Sequence, residues 1–253
     1  MKLQPAERLI VALDVDSLEK AGRLVKTLVP AGVTHFKIGF GLFTQAGPAA
    51  IEEVHRHGGR VFLDLKFHDI PSTVARAAQA ATRLGVWMTN LHIQGGSDMM
   101  RRALAAVRDE ASRQKKQPPI LIGVTVLTSM ADKDLIDLGI RKPLKDQVLF
   151  LAKRAQSAGL NGIVASAREA TAIRWTCGEE FVIVTPGIRP IPPGTDPLFA
   201  AAKAGSGDDQ QRTATPIEAV KAGADYLVVG RPIVEAPDPA AVVQSIVTEL
   251  SGS

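Results

Sequence analysis

The stretch RVFLDLKFHDIPSTVARAAQAATRLGVWMTNLHI, residues 60–93, decides the fold. It opens with a strand-like run, Arg60–Phe67, that after Arg60 is apolar except for Asp64 and Lys66. Side chains two apart on a strand share a face, so these two charges point one way while Leu63, Leu65 and Phe67 point the other. Over Ser72–Leu84 the spacing changes. Val74, Ala77, Ala78, Ala81 and Leu84 fall on one face of a helix, and their small size allows another element to approach closely. A second apolar run, Val86–Ile93, follows Gly85. Strand, helix and strand in this length form a βαβ unit with parallel strands.

The same rhythm extends in both directions. Further strands are expected at Leu9–Val15, His35–Phe40, Ile120–Leu127, Gly162–Ser166, Phe181–Thr185 and Tyr226–Val229. Helical spacing marks Ser17–Val29, Thr44–His57, Asp98–Gln114, Pro143–Ala158 and Pro239–Leu250. Eight strands alternating with helices in 253 residues favour a closed (β/α)8 TIM barrel over an open doubly wound sheet. No linker composition divides the chain, so residues 1–253 read as a single domain. Pro190–Gly207, rich in proline and glycine, reads as a long loop after the seventh strand, with a short helix at Leu198–Ala204.

Composition narrows the function. Net charge is +4, but the basic residues are scattered and only 4% of residues are aromatic, which argues against nucleic acid and for a small anionic ligand. The apolar run Leu9–Leu13 is too short for a membrane span or a signal-peptide core, so no membrane partner and a cytoplasmic setting are expected. Cys177, the one cysteine, excludes an intramolecular disulfide and any Cys pair for zinc.

Charged residues recur at the ends of the strands: Asp14, Lys37, Asp64, Lys66, His92, Arg189 and Arg231. A charge in an apolar strand is costly unless it is paired or faces a polar pocket. In a barrel this strand end is the functional face. Asp64 beside Lys66 favours an ammonium that donates a proton over a Schiff-base nucleophile. With Asp69 just past the strand and Lys37 one strand away, two acids and two amines can alternate. A purely structural ion-pair network is the other reading of these residues. Gly230-Arg231 and Gly187-Ile-Arg189 each end a strand in glycine and arginine, a pairing suited to phosphate. His55 and His57 cannot share a helical face, and nothing around Cys177 depresses its thiol pKa.

Taken together, Asp64-x-Lys66-x-x-Asp69-Ile70-Pro71-x-Thr73 resembles the active-site motif of the orotidine 5′-phosphate decarboxylase family. The likeness continues through Leu13-Asp14, Phe36-Lys37-Ile-Gly39, Val124 to Met130, Thr185 to Pro190, Asp209-Gln210, Thr215-Pro216 and Gly230-Arg231-Pro232. It implies a decarboxylase of orotidine 5′-monophosphate that uses no metal and no organic cofactor and forms a homodimer with shared active sites. Lys66 would then be the proton donor to pyrimidine C6, flanked by Asp64. Asp69 would enter the neighbouring subunit's site, with Ile70 and Thr73 beside it. The resemblance further implies that Asp14 and Lys37 hold the ribose hydroxyls, that Thr128 contacts the pyrimidine, and that Arg189, Gln210, Gly230 and Arg231 hold the 5′-phosphate.

One departure stands out. Arg189 and Gln210 lie 21 positions apart, and the bacterial enzymes it resembles have a shorter connection, so about 190–207 reads as an insertion in the phosphate-side loop. The spacing to Thr215-Pro216 favours Gln210 over Gln211. Two other functions stay open: a Mg²⁺-dependent sugar-phosphate decarboxylase or aldolase, which resembles this fold but carries an acid at the second strand where this chain has Lys37, and a barrel that only binds a nucleotide phosphate.

Overall fold

A computed structural model describes residues 3–190 and 212–252. Its eight strands are β1 (Leu9–Ala12), β2 (His35–Ile38), β3 (Arg60–Phe67), β4 (Met88–His92), β5 (Ile120–Val124), β6 (Gly162–Val164), β7 (Val182–Thr185) and β8 (Tyr226–Val229). Each pairs in parallel with the next, and β8 returns to β1, closing the barrel. Residues Pro190 to Gly207, including the short helix expected at Leu198–Ala204, lie outside the described residues apart from Pro190.

Strand periodicity sorts the core into an inside and an outside. Ile10, Ala12, Phe62, Met88, Ile122, Val184, Tyr226 and Val228 form one buried cluster inside the barrel. Their sequence neighbours, such as Leu9, Val11, Leu63, Leu227 and Val229, belong to an outer cluster beneath the helices. Each apolar side chain buried in this way contributes about 1.5–3 kcal/mol relative to exposure. Gly162 matters inside, because a Cβ there would lie 2.1 Å from the Val182 carbonyl oxygen.

Local sequence explains the helices. α1 (Leu18–Leu28) begins where the Ser17 hydroxyl accepts a hydrogen bond from the Lys20 amide, with Glu19 favourably placed in the first turn. The helix expected over Thr44–His57 is instead two, α2 (Phe40–Ala46) and α3 (Pro48–Arg56), because Gly47 takes φ +54° and Pro48 starts a new helix. α4 (Pro71–Arg83) buries Val74 and Ala78 in one cluster with Met100 and Ala103 of α5 (Gly96–Arg113). The rest of the circuit is α6 (Asp132–Asp137), α7 (Leu144–Ser157), α8 (Ala167–Cys177), α9 (Pro216–Lys221), α10 (Arg231–Val234) and α11 (Pro239–Ser251). No helix among the described residues is long and apolar enough to cross a membrane.

Several strands stop short of the apolar runs that announced them. β1 ends at Ala12 and β5 at Val124, after which the chain turns over the barrel mouth. Of the extra residues, Asp14, Val126 and Leu127 line the cavity there, while Leu13 packs in the outer cluster.

Candidate active site

The C-terminal ends of the strands surround a cavity of about 510 Å³. Ala12, Phe62, Val124, Val164, Val184 and Val228 make its apolar floor. Asp14, Lys37, Asp64 and Lys66 occupy one side of the lining in sequence, while Pro186, Gly187, Arg189, Gly230 and Arg231 come from the ends of β7 and β8. Val126 to Ser129, following β5, complete the wall with Glu235.

The charges on and just beyond β1 to β3 form an alternating chain. Lys37 Nζ lies 3.0 Å from Asp14 Oδ1 and 3.3 Å from Asp64 Oδ2, and Asp64 Oδ1 lies 2.7 Å from Lys66 Nζ. Lys37 and Asp64 are almost fully enclosed, with side-chain exposures of 11% and 10%. Burial works against the charged form of Lys37, but the carboxylates of Asp64 and Asp14 outweigh it and raise its pKa. Burial likewise opposes ionisation of Asp64, and the two ammonium groups together with Asn90 overcome it, lowering its pKa. The chain thus keeps its charge through mutual pairing.

Backbone geometry aims Lys66. It adopts φ +42°, one of two non-glycine residues with positive φ among the described residues, and the β3–β4 register shifts between Leu63 and Phe67. A residue held in this region costs about 1–3 kcal/mol and persists only when its surroundings over-determine it. Asn90 on β4 supplies that constraint: its Oδ1 accepts from the Lys66 amide at 2.8 Å, and its Nδ2 donates to Asp64 Oδ1 at 2.7 Å. One buried amide therefore fixes both the backbone of Lys66 and the carboxylate beside it. An ammonium so held can stabilise a developing anion and then protonate it.

Arginines end the seventh and eighth strands as the sequence predicts. Arg189 donates through its amide to the Ala214 carbonyl at 2.9 Å and through Nη1 to the Ile188 carbonyl at 2.9 Å. Gly187 sits at φ +76°, and Gly230 lies close to Asp14, whose Oδ2 would be 3.7 Å from an added Cβ. These residues and the β1–β3 charges line the same cavity, which suits a ligand with an anionic end and a reactive centre.

The motif residues Asp69, Ile70 and Thr73 do not line this chain's cavity. Asp69 is exposed, and its Oδ1 accepts from the Ile70 amide at 2.6 Å, while Ile70 is 64% exposed. Within one chain the second acid of the network is consequently Asp14, since Asp69 is exposed and outside the cavity lining. Gln210 lies outside the described residues. His92 packs its ring 5.4 Å from that of His68, and burial, followed by the nearby His68 and Lys66, lowers its pKa. Burial raises the pKa of Cys177, in line with an unreactive thiol.

Two features escaped the sequence. Asn90 was visible only as one of three polar residues, with Thr89 and His92, on the strand Met88–His92. The buried pair Arg212–Glu169, at 2.8 Å, joins residues 43 positions apart with no spacing to announce them. Among the described residues, no group of three or more His, Cys, Asp or Glu side chains is placed to hold a metal ion.

Comparison with known proteins follows the same lines. The profile of the "Orotidine 5'-phosphate decarboxylase / HUMPS family" matches residues 7–246. An orotidine 5'-phosphate decarboxylase from Moorella thermoacetica is 49% identical, over 99% of this chain and 94% of its own length. Another from Trichlorobacter lovleyi is 50% identical over 96% of this chain and 95% of its own. The crystal structure of orotidine 5'-phosphate decarboxylase from Lactobacillus acidophilus superposes with a TM-score of 0.80 at 36% identity, covering 96% of this chain and 99% of that one.

Proposed function

The chain belongs to the orotidine 5'-phosphate decarboxylase / HUMPS family, and from that premise we infer that it decarboxylates orotidine 5′-monophosphate to UMP and CO₂ in de novo pyrimidine biosynthesis. The observation that carries this reading beyond family membership is the Asp14–Lys37–Asp64–Lys66 chain at the mouth of the barrel. An ammonium, Lys37, occupies the second strand where the sugar-phosphate enzymes of this fold carry an acid.

Loss of CO₂ from C6 leaves a carbanion that the pyrimidine ring delocalises poorly. Lys66 meets that charge electrostatically and then delivers its proton to C6. Asp64, held between two ammonium groups, faces the substrate carboxylate. Two like charges about 4 Å apart at an effective dielectric near 20 repel by about 4 kcal/mol, or about three powers of ten in rate if all of it is relieved in the transition state. Relief of this repulsion is one contribution; the ammonium supplies another.

Asp14 and Lys37 bind the ribose hydroxyls, Thr128 the base, and Arg189, Gly230, Arg231 and Gln210 the 5′-phosphate. Grip on the phosphate, remote from C6, supplies binding energy that organises the charged chain. Asp69, Ile70 and Thr73 serve the site of a second copy in a homodimer; the exposure of Asp69 and Ile70, and the place of all three outside this chain's cavity, support that assignment. The reaction needs neither metal nor organic cofactor, the partner is a small molecule and not nucleic acid or membrane, and the unpaired Cys177 suits a cytoplasmic setting.

The test is to mix EDTA-treated protein with orotidine 5′-monophosphate and follow the ultraviolet absorbance. Loss of the orotate chromophore is expected. No loss, from folded protein that still binds UMP, would favour the binding-only barrel. Activity restored solely by Mg²⁺ on a sugar phosphate would favour the aldolase-type alternative.

A further inference from the structure

Arg212 is almost completely buried, at 7% exposure. Its guanidinium reaches three partners. Nη1 donates to Glu169 Oε1 at 2.8 Å, Nη2 to the Leu127 carbonyl at 3.0 Å, and Nε toward the Thr128 carbonyl at 3.4 Å. Leu127 and Thr128 line the cavity; Arg212 and Glu169 do not. Two residues on, Ala214 accepts from the Arg189 amide at 2.9 Å and bridges to Ile188. A single short segment therefore contacts both the arginine end of β7 and the loop after β5.

A buried ion pair is a poor stability device, because apolar residues of similar volume in its place are often neutral or stabilising. Glu169 fits that description. Burial raises its pKa against the pull of Arg212, and its Oε2 is buried with no hydrogen-bond partner among the described residues. What the pair does accomplish is geometric: a planar guanidinium with divergent donors fixes two successive carbonyls, which the point charge of a lysine cannot do in the same way.

We propose that Arg212 is a positioning residue that sets the Leu127–Thr128 wall against the base of the bound nucleotide and ties it to the phosphate end of the site, with Glu169 holding the guanidinium in place. The proposal rests on the nucleotide reading given under Proposed function. Arg212 touches no substrate in this account. It acts through the backbone of Thr128, so its removal weakens ligands that carry a base and spares those that do not.

The experiment compares Arg212→Lys and the double variant Arg212→Met/Glu169→Leu with wild type. It measures kcat and KM for orotidine 5′-monophosphate, inhibition by UMP and by ribose 5-phosphate, and thermal unfolding. The lysine variant keeps a partner for Glu169, and the double variant removes both charges together, so both are expected to fold with melting temperatures near that of wild type. Each should lose about tenfold or more in UMP affinity and in kcat/KM, because the Leu127–Thr128 wall is no longer held against the base, while ribose 5-phosphate inhibition stays within about twofold of wild type. Unchanged UMP affinity in a folded variant, or equal losses for UMP and ribose 5-phosphate, would overturn the proposal. Wild-type protein that neither turned over orotidine 5′-monophosphate nor bound UMP would overturn the nucleotide reading itself, and this inference with it.

Discussion

His35 and Lys37 stand two residues apart on β2, one side-chain layer apart inside the same barrel, and burial leads them to opposite ends. At the N-terminal end His35 packs against Trp87 with ring centroids 4.0 Å apart and lies 5.9 Å from Tyr226, and its Nε2 is buried with no hydrogen-bond partner among the described residues. Burial, helped by Arg60 and opposed by Glu7, lowers its pKa to about 4. Lys37, at the C-terminal end, is as well enclosed, yet the carboxylates of Asp14 and Asp64 keep it charged. Burial alone neutralises a side chain, whereas burial among opposite charges preserves one. The same eight strands thus plug one end with uncharged rings and keep the other end ionised for chemistry.

If the charged end works as a unit, Asp64→Ala is the most damaging way to break it. Turnover should fall by about three powers of ten or more, and unfolding should become easier because Lys37 and Lys66 lose a shared partner; kinetics and denaturant titration would show both. A loss of only a few-fold would mean that the chain is structural. The next largest effect tests whether the charged end is complete within one chain. Lys66→Ala and Asp69→Ala, each inactive alone, should recover about a quarter of wild-type activity when mixed and allowed to exchange subunits, since one site in each mixed dimer is then intact. No recovery despite exchange would argue against a shared site. Arg231→Ala should lower kcat/KM by about a hundredfold, as expected for losing a bidentate contact with phosphate.

The opposite end should register only in stability. Because the folded pKa of His35 lies below its unfolded value near 6.5, the unfolded state takes up the proton first as pH falls. The stabilisation from neutral His35 is full above about pH 6.5 and is lost as pH drops toward 4. Between pH 7 and pH 5 this amounts to about 2 kcal/mol of unfolding free energy. Denaturant titrations of wild type and His35→Leu at the two pH values check it: the wild type should lose that much more than the variant over this range. Equal losses would place the sensitivity elsewhere.

The barrel was legible because its strands alternate so cleanly. Phe62 faces in, Leu63 faces out, and the bounds of Arg60–Phe67 and Tyr226–Val229 emerge as expected. Leu13 to Val15 and Thr125 to Leu127 misled the strand ends, since apolar residues that pack under the helices, as Leu13 does, or line a cavity, as Val126 and Leu127 do, read like residues that pair in a ladder. The helix break was announced by Gly47-Pro48, a dipeptide that marks a turn, but the apolar spacing on either side of it reads as one helix. For the site, the Asp-x-Lys pattern and the Gly-Arg strand ends were visible because each is local. Asn90 and Arg212 were not, because their partners lie on other elements, as far as 85 residues away for the Arg212 bond to Leu127. Asp69 shows a different limit: its motif is plain in sequence, yet its carboxylate turns out of its own cavity.

The central claim is that the charged end exists to place the Lys66 ammonium at C6, and one parallel measurement on Lys66→Ala addresses it most directly. Turnover of orotidine 5′-monophosphate, UMP affinity and the unfolding midpoint would be determined on the same preparation. Turnover should fall by about three powers of ten or more, in keeping with loss of a general acid that also stabilises charge, with UMP affinity within about tenfold of wild type and folding intact. Turnover within about tenfold of wild type would contradict the account.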